Sequence, residues 1–179
     1  YLLLLEAMGR LRRQGTFFGC SLTLTSRNFA TVLADPYAAQ LVAAGCRFFL
    51  LLDYTPTDEA TSDWVLTAAQ RGQVAALKRR HRALFIAVPW DEMAVGGCLA
   101  GGRGFVHINA AGDLEPCPFA PYSDTSLRTA PLADALRSPF LARLRARPEL
   151  LRYSGGGCAL WKHRQQVAHV LAEVGRNAG

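Results

Sequence analysis

A repeated alternation of apolar runs and helical segments constrains the fold of the first half of the chain. The apolar runs are TFFGCSLTLT, CRFFLLLDY and ALFIAVPW, and the helical segments between them are DPYAAQLVAAG and VLTAAQRGQVAALKRRH. The runs are rich in β-branched and aromatic residues and nearly continuous in hydrophobicity, which is typical of parallel strands buried on both faces. The pattern therefore predicts an α/β fold with three βα units, as a parallel sheet or part of a (β/α) barrel.

Polar residues follow each predicted strand at its carboxyl end. They occupy positions 23–28, 53–55 and 89–92. In parallel α/β folds the carboxyl ends of the strands carry the ligand site, so these segments together indicate a ligand-binding face. Taken singly, each residue is better explained as a cap of the helix that follows.

The periodicity changes after Glu92. FVHIN and DLEPC alternate in strand fashion around AAG, where Gly112 supplies the positive φ that a hairpin turn needs. One amphipathic helix, PLADALRSPFLARLRARPEL, then a glycine-rich turn, SGGGC, and a last helix, WKHRQQVAHVLAEV, are predicted beyond the hairpin. We therefore expect two domains, residues 1–94 and 95–179, the second a small α+β unit.

The five cysteines are of two kinds. Cys20 and Cys46 lie in apolar strand-like runs, as small buried hydrophobic residues do. Cys98, Cys117 and Cys158 each follow glycine or proline, outside the middle of any predicted helix. A metal ion or iron–sulfur cluster needs thiolates that converge from such fixed backbone positions. We therefore expect these three cysteines to share a metal site, with unrelated thiols as the alternative.

The residues leave the identity of the metal open. Zinc needs four ligands, and His163, a few residues after Cys158, completes a Cys3His set. The spacing between Cys98 and Cys117 is not that of a zinc-finger CxxC. The odd number of cysteines, with no recognisable signal peptide, favours thiols in a reducing compartment over a disulfide framework. The expected location is the cytoplasm.

The net charge of +6 comes mostly from arginines in RLRR, KRRHR and ARLRARPELLR. This charge permits an anionic partner, but no basic run is interleaved with aromatic residues. Solvated helix faces are the favoured interpretation, and nucleic acid is not an expected partner. The first apolar run, YLLLL, is too short to span a bilayer, so no membrane partner is expected either.

The spacing of Cys98, thirteen residues, Gly112, four residues and Cys117 resembles a known pattern. It is similar to the Cys-x(9–15)-Gly-x4-Cys opening of the SPASM and twitch auxiliary iron–sulfur domains of radical SAM proteins. INAAGDLEPCPF resembles the hairpin of those domains, and the arginine-bearing helix before Cys158 matches their layout. The resemblance covers the whole chain and identifies the three βα units as the second half of a partial (β/α)6 barrel.

The resemblance implies an auxiliary [4Fe–4S] cluster held by Cys98, Cys117 and Cys158. Its fourth ligand would be His163, a carboxylate such as Asp91 or Glu92, or substrate at an open iron. A full SPASM domain has seven cysteines and two clusters. A single-cluster, twitch-like domain therefore fits this sequence better.

The resemblance also implies that the strand ends of the barrel face S-adenosylmethionine or substrate. The residues concerned are Ser21, Thr23, Asn28, Asp53 and Tyr54. No catalytic residue is identified. The implied partners are a peptide or small-molecule substrate and an electron donor such as a ferredoxin or flavodoxin.

The radical SAM signature CxxxCxxC is absent from the sequence. Because the chain also begins at Tyr1 within a helical run, we expect it to be the C-terminal half of a longer enzyme or a truncated paralogue. The expected function is thus the C-terminal portion of a radical SAM oxidoreductase or maturase with an auxiliary cluster. The alternatives are a non-catalytic zinc or iron–sulfur module with a structural or partner-binding role, and an α/β domain with incidental cysteines and an anion-binding basic face.

Overall fold

The computed structural model of the chain describes residues 1–56, 58–80, 84–153 and 158–177. The chain divides into two compact units, Tyr1–Asp91 and Glu92–Gly179. The sequence placed the domain boundary between residues 94 and 95. Each unit has its own hydrophobic core. The architecture is mixed α/β, with a parallel sheet in the first unit and an antiparallel pair of strands in the second.

The first unit contains a three-stranded parallel sheet in the order β1-β2-β3. The strands are β1 (Gly19–Leu24), β2 (Phe48–Asp53) and β3 (Leu84–Val88). The helices are α1 (Leu2–Arg13), α2 (Phe29–Val32), α3 (Asp35–Ala43), a 3₁₀ helix (Glu59–Trp64), α4 (Ala68–Arg80) and α5 (Trp90–Met93), which ends just beyond the unit. The three predicted strands and the helices predicted between them are confirmed.

The prediction that the strands are buried on both faces is wrong for the described residues. In β1, Leu24 is fully buried and Ser21 is exposed; in β2, Phe49 is fully buried and Leu50 only partly so. Successive side chains of a strand point to opposite faces, so one face packs in the core and the other is open. Leu77 of α4 lies in the core with the covered face. An all-apolar run such as FFLLL does not reveal this difference because both of its faces are hydrophobic.

The second unit begins with a short antiparallel hairpin. Its strands are β4 (His107–Ile108) and β5 (Leu114–Glu115). Gly112 has a φ of +88°, and its N–H donates to the Asn109 carbonyl at 3.0 Å, so the predicted hairpin and its turn glycine are confirmed. The helices that follow are α6 (Leu132–Ala135), α7 (Pro139–Arg145), α8 (Pro148–Leu151), α9 (Ala159–Lys162) and α10 (Arg164–Asn177).

The prediction of one continuous amphipathic helix over 131–150 is wrong. That segment forms three short helices, two of which begin at a proline, Pro139 and Pro148. Proline has no N–H to continue a helix but fits its first position. The Ser138 hydroxyl accepts a hydrogen bond from the Leu141 N–H at 3.3 Å and so caps α7. The last predicted helix is likewise divided, into α9 and α10, at His163.

The glycine-rich turn predicted just before Cys158 lies at 154–157, outside the described residues. Among the described helices, none combines the length and apolar character needed to cross a membrane.

Candidate metal centre

Cys98 lies in a glycine-rich loop that follows α5. Gly96 and Gly97 precede it with φ of +90° and +104°, a backbone conformation that other residues rarely adopt. The Gly97 N–H donates to the Glu92 carbonyl at 2.9 Å, and the Cys98 N–H donates to the Leu151 carbonyl at 2.8 Å. A Cβ on Gly97 would lie 2.6 Å from that Leu151 oxygen. Glycine is therefore required for the loop to lie this close to Leu151.

Cys117 and Cys158 come from two further segments. Cys117 follows β5 and begins a tight turn, in which the Ala120 N–H donates to the Cys117 carbonyl at 2.9 Å. The carbonyl of Pro116 accepts from the Gly101 N–H at 3.1 Å, which joins this turn to the Cys98 loop. Cys158 is the N-cap residue of α9. Cys117 is buried in the core of the second unit, and the other two cysteines pack against that core.

The three thiols interact with one another. The Cys117 thiol is hydrogen-bonded to the Cys158 sulfur, which raises the pKa of Cys117 and lowers that of Cys158. Burial raises the pKa of Cys98 to about 12, and its thiol also interacts electrostatically with the other two. The structure therefore brings together the three cysteines that the sequence singles out. None of them forms a disulfide.

Each of the three sulfurs also faces a backbone N–H group two residues further along the chain. The pairs are Cys98 with Ala100, Cys117 with Phe119, and Cys158 with Leu160. These N–H groups lower the pKa of the three thiols and so favour the thiolate. The Cys158 side chain nevertheless makes no cap hydrogen bond to α9. Cys46 has the opposite polarity, because its thiol donates a hydrogen bond to the Phe48 carbonyl at 3.1 Å. Thiolate is the form that binds metals, so the polarity of these contacts distinguishes the three cysteines from Cys46.

A buried carboxylate, Glu92, accompanies the three thiols. Glu92 is only 7% exposed, and its Oε1 accepts from the N–H of Leu99, the residue after Cys98, at 3.3 Å. Burial raises the pKa of Glu92, and the Leu99 N–H and the charge of Arg103 oppose this rise. Ionised Glu92 in turn disfavours the thiolates of Cys98 and Cys158. The carboxylate is thus within electrostatic range of two of the thiols.

Arg103 supplies positive charge to this part of the second unit. Its guanidinium donates to the Cys98 carbonyl at 2.8 Å and to the Gly96 carbonyl at 3.4 Å. Its charge opposes the burial that raises the pKa of Cys98 and of Glu92. The sequence analysis did not single out this residue, although one arginine in the glycine-rich run after the first cysteine was a visible signal.

The other two proposed fourth ligands lie elsewhere. His163 lines a pocket of about 560 Å³ with Arg147, Glu149 and His169, and none of the three cysteines lines this pocket. Asp91 belongs to the first unit, where its Oδ2 accepts from the N–H of Ala87 in β3 at 2.8 Å. Of the residues considered as a fourth protein ligand, Glu92 is therefore the one that the structure places with the thiols.

In the described ranges, no group of three or more His, Cys, Asp or Glu side chains is placed so that it could hold one metal ion. The cysteines of a [4Fe–4S] cluster bind different irons, so they need not surround a single point. Three thiols with N–H groups directed at their sulfurs fit such a centre by the chemistry of their donor set.

The predicted ligand residues on and after β1 lie on its open face or make local contacts. Ser21 and Thr23 are exposed. The Asn28 side chain accepts from the Thr25 N–H at 2.8 Å and donates to the Thr23 carbonyl at 2.8 Å. These contacts hold the turn between β1 and α2. The side chain of Asn28 therefore stabilises this turn and does not cap α2.

The predicted ligand residues after β2 also have protein partners. The Asp53 side chain is fully buried and accepts from the Nε of Arg71 at 3.1 Å. The Tyr54 hydroxyl donates to the Thr61 hydroxyl at 2.7 Å. Sequence reasoning did not identify Arg71, because nothing in the pattern of α4 distinguishes it from the other arginines of that helix.

Comparison of the chain with protein-family models, curated proteins and solved structures finds no match.

Proposed function

We propose that this chain is part of a radical SAM protein and that its second unit holds an auxiliary [4Fe–4S] cluster through Cys98, Cys117 and Cys158. One observation carries the proposal: cysteines from three separate segments interact within one core, and a nearby backbone N–H lowers the pKa of each. The spacing of the first two cysteines around Gly112 supports the assignment to this class of protein.

An auxiliary cluster supplies one-electron transfer, or an iron that holds substrate, close to the reaction of the radical. The residues around the site have defined roles in this proposal. The three thiolates ligate iron, and the N–H groups and Arg103 offset their negative charge. Fully buried side chains such as Phe140 and Leu160 exclude water from the same core.

The radical-generating step is assigned to a different cluster. The sequence contains no CxxxCxxC, so Cys98, Cys117 and Cys158 are not assigned the reductive cleavage of S-adenosylmethionine. In this proposal the parallel sheet is part of a partial (β/α) barrel, and its open face, with Ser21 and Thr23, is directed toward S-adenosylmethionine or substrate. The substrate is a peptide or small molecule, the electron donor is a ferredoxin or flavodoxin, and the compartment is the reducing cytoplasm.

A non-catalytic zinc module is the second candidate. The three thiols and Glu92 make four donors, which is the number that a structural zinc site uses. Stoichiometric zinc in the purified protein, with no absorbance that depends on added sulfide, would favour this candidate over the first.

Anaerobic reconstitution with iron and sulfide tests the proposal. The expected result is a brown protein with about four irons per chain, and loss of that iron when Cys98, Cys117 or Cys158 is replaced by alanine. Cys20→Ala is the matched control, because Cys20 is also paired with a second thiol, that of Cys46, but lies in the first unit. Iron content that is unchanged by all three replacements, or reduced equally by Cys20→Ala, would contradict the proposal.

A further inference from the structure

Glu92 and Cys98 are held together by a closed turn of the backbone. The Glu92 carbonyl accepts from the Val95 N–H at 3.1 Å and from the Gly97 N–H at 2.9 Å. The Glu92 Oε1 accepts from the Leu99 N–H at 3.3 Å. The Glu92 carboxylate therefore contacts the residue after Cys98, and the Glu92 carbonyl contacts the residue before it.

Glu92 differs from the other buried acidic residues of the chain in its partners. Asp53 is paired with Arg71, and Glu115 accepts hydrogen bonds from the side chains of His107 and Asn109. The side chain of Glu92 makes one long backbone contact and no ion pair among the described residues. A buried carboxylate is normally compensated by a cation or by several hydrogen bonds. Among the described residues Glu92 therefore has fewer compensating contacts than Asp53 and Glu115.

The surroundings of Glu92 indicate which cation would compensate it. Its Oε1 lies 3.3 Å from the backbone nitrogen of Leu99, the residue after Cys98, so an ionised Glu92 and a Cys98 thiolate close to it would repel each other. Arg103 acts on the carboxylate from a distance but directs its N–H groups at the carbonyls of Cys98 and Gly96. A metal that binds the thiolates and the carboxylate would remove this repulsion and add positive charge next to both groups.

We propose that Glu92 is the fourth protein ligand of the centre, giving a ligand set of three thiolates and one carboxylate. This inference rests on the proposed function, since it assigns a ligand to the same cluster. His163 lines a pocket that none of the three cysteines lines, so the contacts of the described residues favour Glu92 over it. A carboxylate is a harder and weaker donor to iron than a thiolate, so the iron bound to Glu92 is the most easily lost of the four.

The test uses the full chain reconstituted anaerobically as wild type, Glu92→Gln and Glu92→Cys. Glutamine keeps an oxygen for the Leu99 N–H but is a poor ligand, so this variant is expected to lose about one iron of four and to give the electron paramagnetic resonance signal of a three-iron cluster after oxidation. Glu92→Cys is expected to retain all the iron, with a changed Mössbauer signal for one iron site. Glu115→Gln, at a buried carboxylate with protein partners in the same unit, is the matched control and is expected to retain the wild-type iron content.

The outcomes separate this inference from the proposal on which it rests. A wild-type protein with a complete cluster, together with Glu92→Gln and Glu92→Cys spectra identical to wild type, overturns the role of Glu92 and leaves the cluster assignment standing. A wild-type protein that takes up no iron–sulfur cluster overturns both. Equal iron loss in Glu92→Gln and Glu115→Gln shows a general effect of removing a buried charge and also overturns the ligand assignment.

Discussion

Replacing Gly97 by alanine tests whether the glycine loop positions Cys98. In Gly97→Ala the new Cβ would lie 2.6 Å from the Leu151 carbonyl oxygen, which is the acceptor of the Cys98 N–H. The loop and Leu151 must therefore move apart. Gly96→Ala is a matched control, because Gly96 has a similar φ of +90° but its Cβ would meet only the Arg103 side chain at 3.5 Å.

The magnitude follows from the two contributions. A non-glycine residue at such a positive φ costs about 1–3 kcal/mol, and both variants bear this cost. Gly97→Ala also weakens the hydrogen bond between Cys98 and Leu151, worth about 0.5–1.5 kcal/mol, and adds the steric overlap. We therefore expect Gly97→Ala to lower the free energy of unfolding by about 1 kcal/mol more than Gly96→Ala.

The assay is urea unfolding of the reduced, metal-free protein, followed by iron determination after reconstitution. Gly97→Ala is expected to bind less iron than Gly96→Ala when both are measured under conditions where each is folded. Equal unfolding free energies and equal iron contents for the two variants would show that the close approach to Leu151 does not position Cys98.

Three further predictions concern single side chains. Burial raises the pKa of Glu92, so the folded metal-free protein binds the Glu92 proton more tightly than the unfolded chain does. The stability that this proton contributes is present in full below about pH 4 and is lost as the pH rises through the folded-state pKa of Glu92. Glutamine resembles the protonated carboxyl, so Glu92→Gln is expected to stabilise the metal-free protein at neutral pH but not at about pH 4. Urea unfolding at the two pH values measures this difference, and an equal effect of the substitution at both would contradict the prediction. Arg71→Leu removes the guanidinium that pairs with the buried Asp53 carboxylate and is expected to cost about 3 kcal/mol, and a loss below about 1 kcal/mol in the same assay would contradict this. Ser138→Ala removes the cap of α7 and is expected to cost about 1 kcal/mol, with an unchanged thermal midpoint as the contrary result.

The strands were predictable because their apolar runs are long and bounded by polar segments. The face of each strand that is covered was not, since a run such as FFLLL is hydrophobic on both sides and coverage depends on which helices pack there. Pro139 and Pro148 mark where the segment 131–150 divides into separate helices. The apolar residues of the segment nevertheless keep one helical period throughout, which predicts a single helix. Local turn chemistry, as at Gly112, transferred directly to the structure.

The candidate site was predictable to a similar degree. Glycine and proline before the three cysteines indicated fixed backbone positions, and the structure brings these residues together. The fourth ligand was not decided by the sequence, because His163 and Glu92 are both close to a cysteine along the chain. The end of α9 places His163 in a separate pocket, whereas the glycine turn returns the chain so that Leu99 contacts Glu92. The conformation of this turn depends on the positive φ of two glycines and on the contact with Leu151, and the spacing of residues alone does not encode them.

A Mössbauer spectrum of the full chain, reconstituted anaerobically with isotopically enriched iron and sulfide, tests the central claim most directly. The account predicts the signal of one [4Fe–4S] cluster, about four irons per chain, that disappears when Cys117 is replaced by alanine and persists when Cys20 is replaced by alanine. A spectrum of mononuclear iron alone, or a cluster signal that is unaffected by loss of Cys117, would contradict it.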